Sequence, residues 1–381
     1  MNLIFEQTLS RRDFLKRCSM LALSGLILPK LTRFAEAQEA QYGFIKAQKA
    51  LYYEKLTNKK VRCLLCPRVC IVTKGKRGFC RVRENRDGEY YTLVHSNPCA
   101  VHIDPIEKKP LFHFVPGTTA LSIATAGCNF TCKNCQNWDI SQARPDETIN
   151  YHVSPQKLVD LALQHKTPTI AYTYTEPTIF YEYMLETAKI ARNKGVLNIY
   201  HSNGYINRDP LSGLIPYLDG ANIDLKGYSN DFYKDITGGT LSPVLETLKM
   251  LKEKGVWFEI TNLVIPTKND TDDMFEQLFS WVKQQLGKET PVHLSRFYPQ
   301  YKLQNIPPTP VETLKRAAHI AHNVGLEYVY IGNVPGIAEE STYCPQCGMV
   351  IIERRGYDIK TINIQNGKCT FCKKNIPGRW S

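Results

Sequence analysis

Eleven of the thirteen cysteines in this 381-residue chain fall into three tight groups, and that grouping constrains the chain more than any other feature. The groups are Cys63, Cys66, Cys70 and Cys80; Cys128, Cys132 and Cys135; and Cys344, Cys347, Cys369 and Cys372. Gaps of two and three residues bring thiolates around one ion or cluster and suit poorly the geometry of long cross-links. Disulfides are the competing reading for an exported chain, and the spacing argues for metal instead. The third group is two C-x-x-C knuckles, with Pro345 and Gly348 suited to the first turn. It makes a closed four-sulfur set of the zinc-ribbon type, expected to hold Zn2+ as a structural staple. The second group supplies three ligands and no evident fourth. Three thiolates on a four-iron cubane leave one iron open, and an open iron is a place for chemistry. The first group admits zinc or an iron–sulfur cluster, with zinc favoured because Lys74, Lys76, Arg77 and Arg81 crowd it. Cys99, alone, is expected to be a buried small hydrophobe.

Around the second group the chain alternates two kinds of segment. Leu121 to Cys128 reads as a buried strand ending in glycine, which puts the three cysteines on the loop after a first strand. Further strands are predicted over Thr169–Thr175, Leu197–Ser202, Ala221–Leu225, Trp257–Ile265, Pro291–Arg296 and Tyr328–Ile331. Helices are predicted over Pro155–Gln164, Thr178–Asn193, Pro243–Lys254, Thr271–Leu286 and Val311–Asn323. Ser242 should cap the third of these, with Pro243 in its first position. Such alternation argues for βα units and a parallel sheet. About six repeats fall short of an eightfold barrel, so the expected fold class is α/β, a partial (β/α)6-type barrel over 119–338. A Cys-rich metal-binding region over 39–118 should precede it, and a zinc-ribbon-like module over 339–381 should follow.

In a parallel barrel, residues at the C-terminal strand ends face the site. Here these are Thr175 and Glu176; Ser202 and Asn203, before Gly204; Asp224 and Lys226; Thr261 and Asn262; and His293 and Arg296. Each has a plainer alternative. Glu176 could be the acid at a helix start opened by Pro177. Asp224 and Lys226, on one face of a strand, could be a rim ion pair. A single His or Arg is more often a packing residue. Gly332 to Gly336 reads as a lid turn.

C-x3-C-x2-C after a first β-strand resembles the radical S-adenosylmethionine (radical SAM) superfamily. The position before the third cysteine, usually aromatic there, is Asn134 here, with Phe130 and Trp138 near by. The resemblance implies a [4Fe-4S] cluster on Cys128, Cys132 and Cys135 whose fourth iron is chelated by SAM. It implies reductive cleavage of SAM to methionine and a 5′-deoxyadenosyl radical that abstracts hydrogen from a substrate. Tyr174-Thr175-Glu176-Pro177 occupies the place of the family's Gly-Gly-Glu-Pro, making Glu176 the partner of the SAM ammonium. Ser202-Asn203-Gly204-Tyr205 is similar to the stretch that contacts the SAM ribose. Asp224-Leu-Lys226 resembles a segment of glycyl-radical-enzyme activases, and Asn262 and His293 complete the expected SAM-binding set. Residues 60–381 as a whole resemble the radical SAM member of the AmmeMemoRadiSam system, related to pyruvate formate-lyase activating enzymes. The stretches that carry this are Cys63 to Cys80, Asp104-Pro-Ile-Glu-Lys-Lys-Pro-Leu111, Gln136 to Ser141 and Ile376 to Trp380. The implied partners are a low-potential electron donor of flavodoxin or ferredoxin type and Memo or AmmeMemo-family proteins. The substrate does not follow from the resemblance. An activase of glycyl radical enzymes is the runner-up, although the extra cysteines those enzymes carry after the radical cluster are absent.

The front of the chain reads separately. Ser10-Arg11-Arg12-Asp13-Phe14-Leu15-Lys16, a modest apolar stretch and Ala35-Glu36-Ala37 make a twin-arginine export signal over 1–38. Export is thus expected, against the cytoplasmic location that SAM and low-potential donors suggest. No apolar run is long enough to span a membrane. The formal net charge of +12 falls to about +4 once the signal is removed and thiolate-bound metals are counted. Charge therefore gives no case for nucleic acid, and the ribbon lacks a basic, aromatic-rich run. A nucleic-acid-binding ribbon protein and a multi-cluster electron carrier remain the readings from other classes; the carrier would need neither a barrel nor polar strand ends.

Overall fold

The segment Thr119–Ala124, T-A-L-S-I-A, is buried at every position after the first, as a central strand of a covered parallel sheet must be. In the computed structural model, which describes residues 40–381, it is the second of eight strands in one sheet. They are β1 (Ala100–Pro105), β2 (Thr119–Ala124), β3 (Thr169–Tyr172), β4 (Leu197–Ser202), β5 (Gly220–Asp224), β6 (Trp257–Val264), β7 (Val292–Arg296) and β8 (Val329–Gly332). Strands β2 to β8 are parallel and lie in chain order. β1 runs antiparallel on the outer side of β2, pairing Ala100 with Ala124. The order has two ends, so the barrel is partial. The expected export signal over 1–38 lies outside the described residues.

Six crossovers carry helices: α1 (Pro155–Gln164), α2 (Tyr181–Asn193), α3 (Arg208–Leu214), α4 (Ser242–Glu253), α5 (Asp272–Trp281) and α6 (Val311–Val324). Their starts follow local chemistry. Ser154 caps α1 by accepting from Lys157 N, and Thr271 caps α5 by accepting from Met274 N. α4 departs from expectation: Ser242 is already helical, and Leu241 sits at the cap without a side-chain bond. The segment 177–193 is two pieces, a 3-10 turn at Pro177–Phe180 and then α2.

The expected boundary at residue 118 is not a structural seam. β1 belongs to the main sheet, and residues 40–381 lie in one compact unit. The loop between β1 and β2 plugs the barrel at the strands' N-terminal ends: Ile106, Leu111, Phe114 and Val115 pack on Ala120, Ala171 and Ile199. Burying each large side chain there contributes about 1.5–3 kcal/mol. Ala40–Tyr42 pairs antiparallel with Ile149–Tyr151, and residues 48–92 form two small antiparallel sheets. Arg83 anchors them to α2 through a buried ion pair with Glu182 at 2.9 Å.

The C-terminal residues add a three-stranded sheet, Thr342–Tyr343, Val350–Arg355 and Asp358–Ile362. It shares its core with the barrel edge, where Cys344, Ile351, Cys369 and Ile376 pack against Phe112, Tyr328 and Tyr330. Among the described residues no helix is long and apolar enough to cross a membrane.

Candidate active site

Cys128, Cys132 and Cys135 lie on the loop that leaves the C-terminal end of β2. Cys132 is buried, and the other two are half-buried. Gly127 makes the turn into this loop at φ +94°. Burial pushes the Cys128 thiol well above its ordinary range, with the nearby Glu176 carboxylate adding to it. Burial likewise raises Cys132 to about 12. Bare thiols here would be neutral; a cationic metal centre would reverse that and deprotonate them. Phe130 N donates to Cys128 Sγ at 3.3 Å, and Cys135 Sγ lies 3.1 Å from Ser141 Oγ. Asn134 Oδ1, between the second and third cysteines, is buried with no partner among the described residues. Three sulfurs, an amide donor to one of them and an unsatisfied acceptor beside them fit an iron–sulfur cluster with a further ligand.

Glu176 leaves β3 beside this loop and is buried. Its Oε1 accepts from Ser202 Oγ at 2.8 Å and Thr178 N at 2.9 Å, and its Oε2 accepts from Asn203 N at 2.9 Å. Burial raises its pKa, and these donors oppose that. Glu176 thus caps the 3-10 turn and meets Ser202 and Asn203 at once. Thr175 Oγ1 donates to Thr125 O at 2.8 Å, fastening the end of β3 to the end of β2.

Asp224 closes β5, and Lys226 Nζ donates to it at 2.8 Å; His201 Nε2 lies 3.7 Å away. Burial opposes the Asp224 charge, but Lys226 and His201 hold its carboxyl well below the usual range. The charge of Lys226 acts on Cys132. The pair is therefore an ion pair and also a neighbour of the cysteine loop.

One expected residue lies elsewhere. His293 is second in β7, in the strand's lower half, where its Nε2 meets Glu259 Oε2 at 2.6 Å. Glu259 also accepts from Phe112 N and His113 N, so His293 belongs to the plug, not to the strand-end group. Asn262 Nδ2 donates to Leu225 O at 2.7 Å and holds the loop after β5. It alternates with Thr261, whose Oγ1 reaches Asn222 Oδ1 at 2.9 Å. Of the further candidates, Arg296 is spent on Thr309 O at 2.8 Å, and Cys99 is half-buried, its Sγ 3.6 Å from Ala124 O.

Sequence reasoning passed over several contributors. Asn129, directly after Cys128, takes the Asn203 amide on Oδ1 at 2.8 Å and donates to Tyr205 O at 2.8 Å. Arg68 Nε donates to Asn129 O at 2.6 Å. Asp104 gathers Lys109 Nζ at 2.6 Å and the Tyr174 hydroxyl. Lys109 is buried, which lowers its pKa to about 8 against the pull of Asp104. The signal for Asn129 was its place inside the cysteine motif. Asp104 and Lys109 stood in the 104–111 stretch that carried the resemblance, with nothing in it to place them beside Tyr174.

At the other end of the molecule, Cys344, Cys347, Cys369 and Cys372 place their sulfurs within 4.8 Å of one another. Burial opposes ionisation of Cys344, but the N–H groups of Cys347 and Gln346 bring its thiol down to about 7. This is a four-cysteine metal site by geometry.

A partial parallel barrel with C-x3-C-x2-C at the end of its first parallel strand defines a class, and the comparisons agree. The model of the radical SAM superfamily matches residues 122–282. An uncharacterized protein of Methanocaldococcus jannaschii is 49% identical over 331 residues, 86% of this chain and 98% of its own length. A second uncharacterized protein of that organism is 27% identical over 70% of this chain and 76% of its own length. The pyruvate formate-lyase 1-activating enzyme of Escherichia coli is 21% identical over 54% of this chain and 89% of its own length. The chain belongs to the radical SAM superfamily and is an enzyme; the family implies a [4Fe-4S] cluster and SAM.

Proposed function

We propose that Cys128, Cys132 and Cys135 hold the cluster and that Glu176, Ser202 and Asn203 hold the amino-acid and ribose portions of SAM beside it. Cluster and SAM together supply reductive cleavage of SAM and abstraction of a hydrogen atom from a substrate not yet identified. The chain's own part is binding and orientation. The observation that carries this reading is Glu176: a buried carboxylate close enough to Cys128 to perturb its thiol, with one backbone donor on Oε2. The remaining capacity of Oε2 suits an ammonium. Asp224 and Lys226 balance charge next to Cys132, and Thr175 keeps the β2 and β3 ends in register.

The arrangement of motifs over 60–381 supports the finer assignment to the AmmeMemoRadiSam system, with Memo or AmmeMemo-family proteins as partners. A low-potential donor of flavodoxin or ferredoxin type supplies electrons. The C-terminal four-cysteine site holds zinc as a staple, since its sulfurs close a single-ion tetrahedron. The leader exports the loaded enzyme; equal distribution of tagged wild-type and R11K/R12K chains on fractionation would remove that part. The distant likeness to an activating enzyme keeps glycyl-radical activation as the second reading.

The test is anaerobic. The reconstituted, dithionite-reduced protein should convert SAM to 5′-deoxyadenosine, and Cys132→Ala should abolish it. Glu176→Gln should keep the iron and weaken SAM binding at least tenfold by equilibrium dialysis. SAM binding unchanged in Glu176→Gln would overturn the assignment of Glu176.

A further inference from the structure

Cys63, Cys66, Cys70 and Cys80 come from two turns set against each other. Cys63 N donates to Cys70 O at 2.9 Å and Val69 N to Cys66 O at 3.1 Å, closing the first. The second is closed by Gly78 N on Arg83 O at 2.8 Å. A Cβ on Gly78 would lie 3.9 Å from Cys70 Cβ, so the turns touch. Cys63 and Cys80 are buried, Cys66 and Cys70 half-buried, and none is in a disulfide. The Cys63–Cys70 backbone bond and the approach of Gly78 to Cys70 bring the two turns together, and the four sulfurs are near enough for their charges to act on one another.

The molecule contains yardsticks for what such a volume holds. The sulfurs at Cys344, Cys347, Cys369 and Cys372 lie within 4.8 Å of one another, with Cys344 and Cys372 at 3.5 Å. A tetrahedron with zinc–sulfur bonds of about 2.3 Å has an edge of about 3.8 Å, so these close on one ion. Cys128, Cys132 and Cys135 also act on one another, yet are not gathered about a single-ion site. The 63–80 set behaves like the second: among the described residues, the C-terminal four are the only cysteines gathered closely enough to be grouped about one ion. One ion cannot bind sulfurs that stand beyond its reach. A cubane can, because each thiolate takes a different iron.

We propose that Cys63, Cys66, Cys70 and Cys80 ligate a second four-iron iron–sulfur cluster, seated directly against the Cys128 loop. Four protein thiolates leave no open iron, so its chemistry is that of an electron carrier, not of a substrate site. The basic residues around it do not argue for zinc, since a zinc ion and an oxidised cubane with four thiolates carry the same net charge. A second observation comes from Arg83. It is buried, its charge acts on Cys63 and Cys80, and its Nη atoms are used by Glu182 and Leu51 O. Its buried Nε has no partner among the described residues. One N–H is left over beside the sulfurs, and hydrogen bonds to cluster sulfur tune reduction potential.

The seating is intimate. A Cβ on Gly127, the residue before Cys128, would lie 2.6 Å from Cys80 O. Arg68, between Cys66 and Cys70, donates through Nε to Asn129 O and through Nη2 to Gly238 O.

The full chain, reconstituted anaerobically with iron and sulfide in the presence of zinc, should hold about eight irons, eight sulfides and one zinc. C128A/C132A/C135A should keep about half the iron and one cubane signal by electron paramagnetic resonance after dithionite. C66S/C70S should lose the other half and keep its zinc. The reduced wild type should show magnetic interaction between two centres, lost in either variant. A C128A/C132A/C135A protein with no iron and two zinc ions would overturn the proposal. So would reduced wild type with two non-interacting cubanes, as regards the seating. If C66S/C70S does not fold, the triple variant still decides, because it leaves the 63–80 group intact. Full iron retention in that variant would count against the Cys128 assignment, not this one.

Discussion

The side-chain amide of Asn203 donates to Asn129 Oδ1 over 2.8 Å, joining the loop after β4 to the residue that follows Cys128. Asn203 also presents its backbone N–H to Glu176, and its Oδ1 accepts from Tyr205 N at 2.9 Å. Both asparagines are buried, so these bonds hold position in a medium where an unmade bond is expensive. One pair of amides therefore sets the carboxylate and the cysteine loop relative to each other.

Asn203→Ala should cost about 1–3 kcal/mol in urea unfolding, because it leaves Asn129 Oδ1 buried and unsatisfied. Asn129→Ala should cost a similar amount. The double variant should cost less than the sum, since the second change removes the stranded partner of the first. Iron should also leave the loop faster under a chelator in both single variants. Strict additivity, with unchanged iron release, would show that the bond does not couple the two loops.

Gly127→Ala should be far more damaging than an ordinary glycine substitution. The added Cβ would lie 2.5 Å from Val82 Cγ1 and 2.6 Å from Cys80 O, and the residue sits at φ +94°. The carbonyl is backbone and cannot swing aside, so overpacking and strain together should cost about 2–4 kcal/mol. Gly195 provides the control: φ is +72° with nothing within 4 Å of its Cβ, so Gly195→Ala should cost about 1 kcal/mol. Urea midpoints and bound iron check both. Equal losses in the two variants would mean that the Cys80 contact is not tight.

The barrel was legible because hydrophobic period and strand length agree along the chain. Leu197–Ser202 and Pro155–Gln164 were read with their observed ends, and the other predicted strands differ by one to three residues at an end. What failed was context. β1, A-V-H-I-D-P, has no apolar run because it is an edge strand with Asp104 turned toward Lys109. α3 is a seven-residue helix with an internal proline, too short for a period to show. His293 was placed by its strand and not by its position along it. Since β7 begins at Val292, a residue one step in lies in the lower half of the barrel. The pairing of Glu176 with Ser202 and Asn203 follows from neighbouring strand ends. Asn129 and Arg68 required the fold, because their partners lie 74 and 61 residues away in sequence.

Removing metal from the C-terminal site should loosen its module without emptying the barrel. Cys344 and Cys369 are part of the core that joins Ile351 and Ile376 to Tyr328 and Tyr330. Cys369→Ala should lose one zinc per chain and increase proteolysis within 339–381, with iron on the Cys128 loop retained. Simultaneous loss of that iron would make the module part of the active site's support and not a staple.

Acid should weaken the same junction through His113. Its Nδ1 faces Pro377 O at 2.7 Å and must donate, so Nε2 accepts from the Tyr330 hydroxyl at 2.6 Å. Tyr330 in turn accepts from Thr342, and Thr342 accepts from Arg354 Nη1 at 2.7 Å. The chain of donors runs one way, because a guanidinium has no acceptor with which to reverse it. Burial lowers the His113 pKa to about 4 from the ordinary 6.5, in spite of nearby Glu259. Between those values the unfolded chain binds more protons, so stability falls as pH drops, by up to about 1.4 kcal/mol per unit. His113→Gln keeps one donor and one acceptor without titrating. The stability of the wild type relative to this variant should therefore shrink between pH 7 and pH 5, read from urea melts at each pH. A difference that stays constant over that interval would mean that His113 is not held neutral by this chain of bonds.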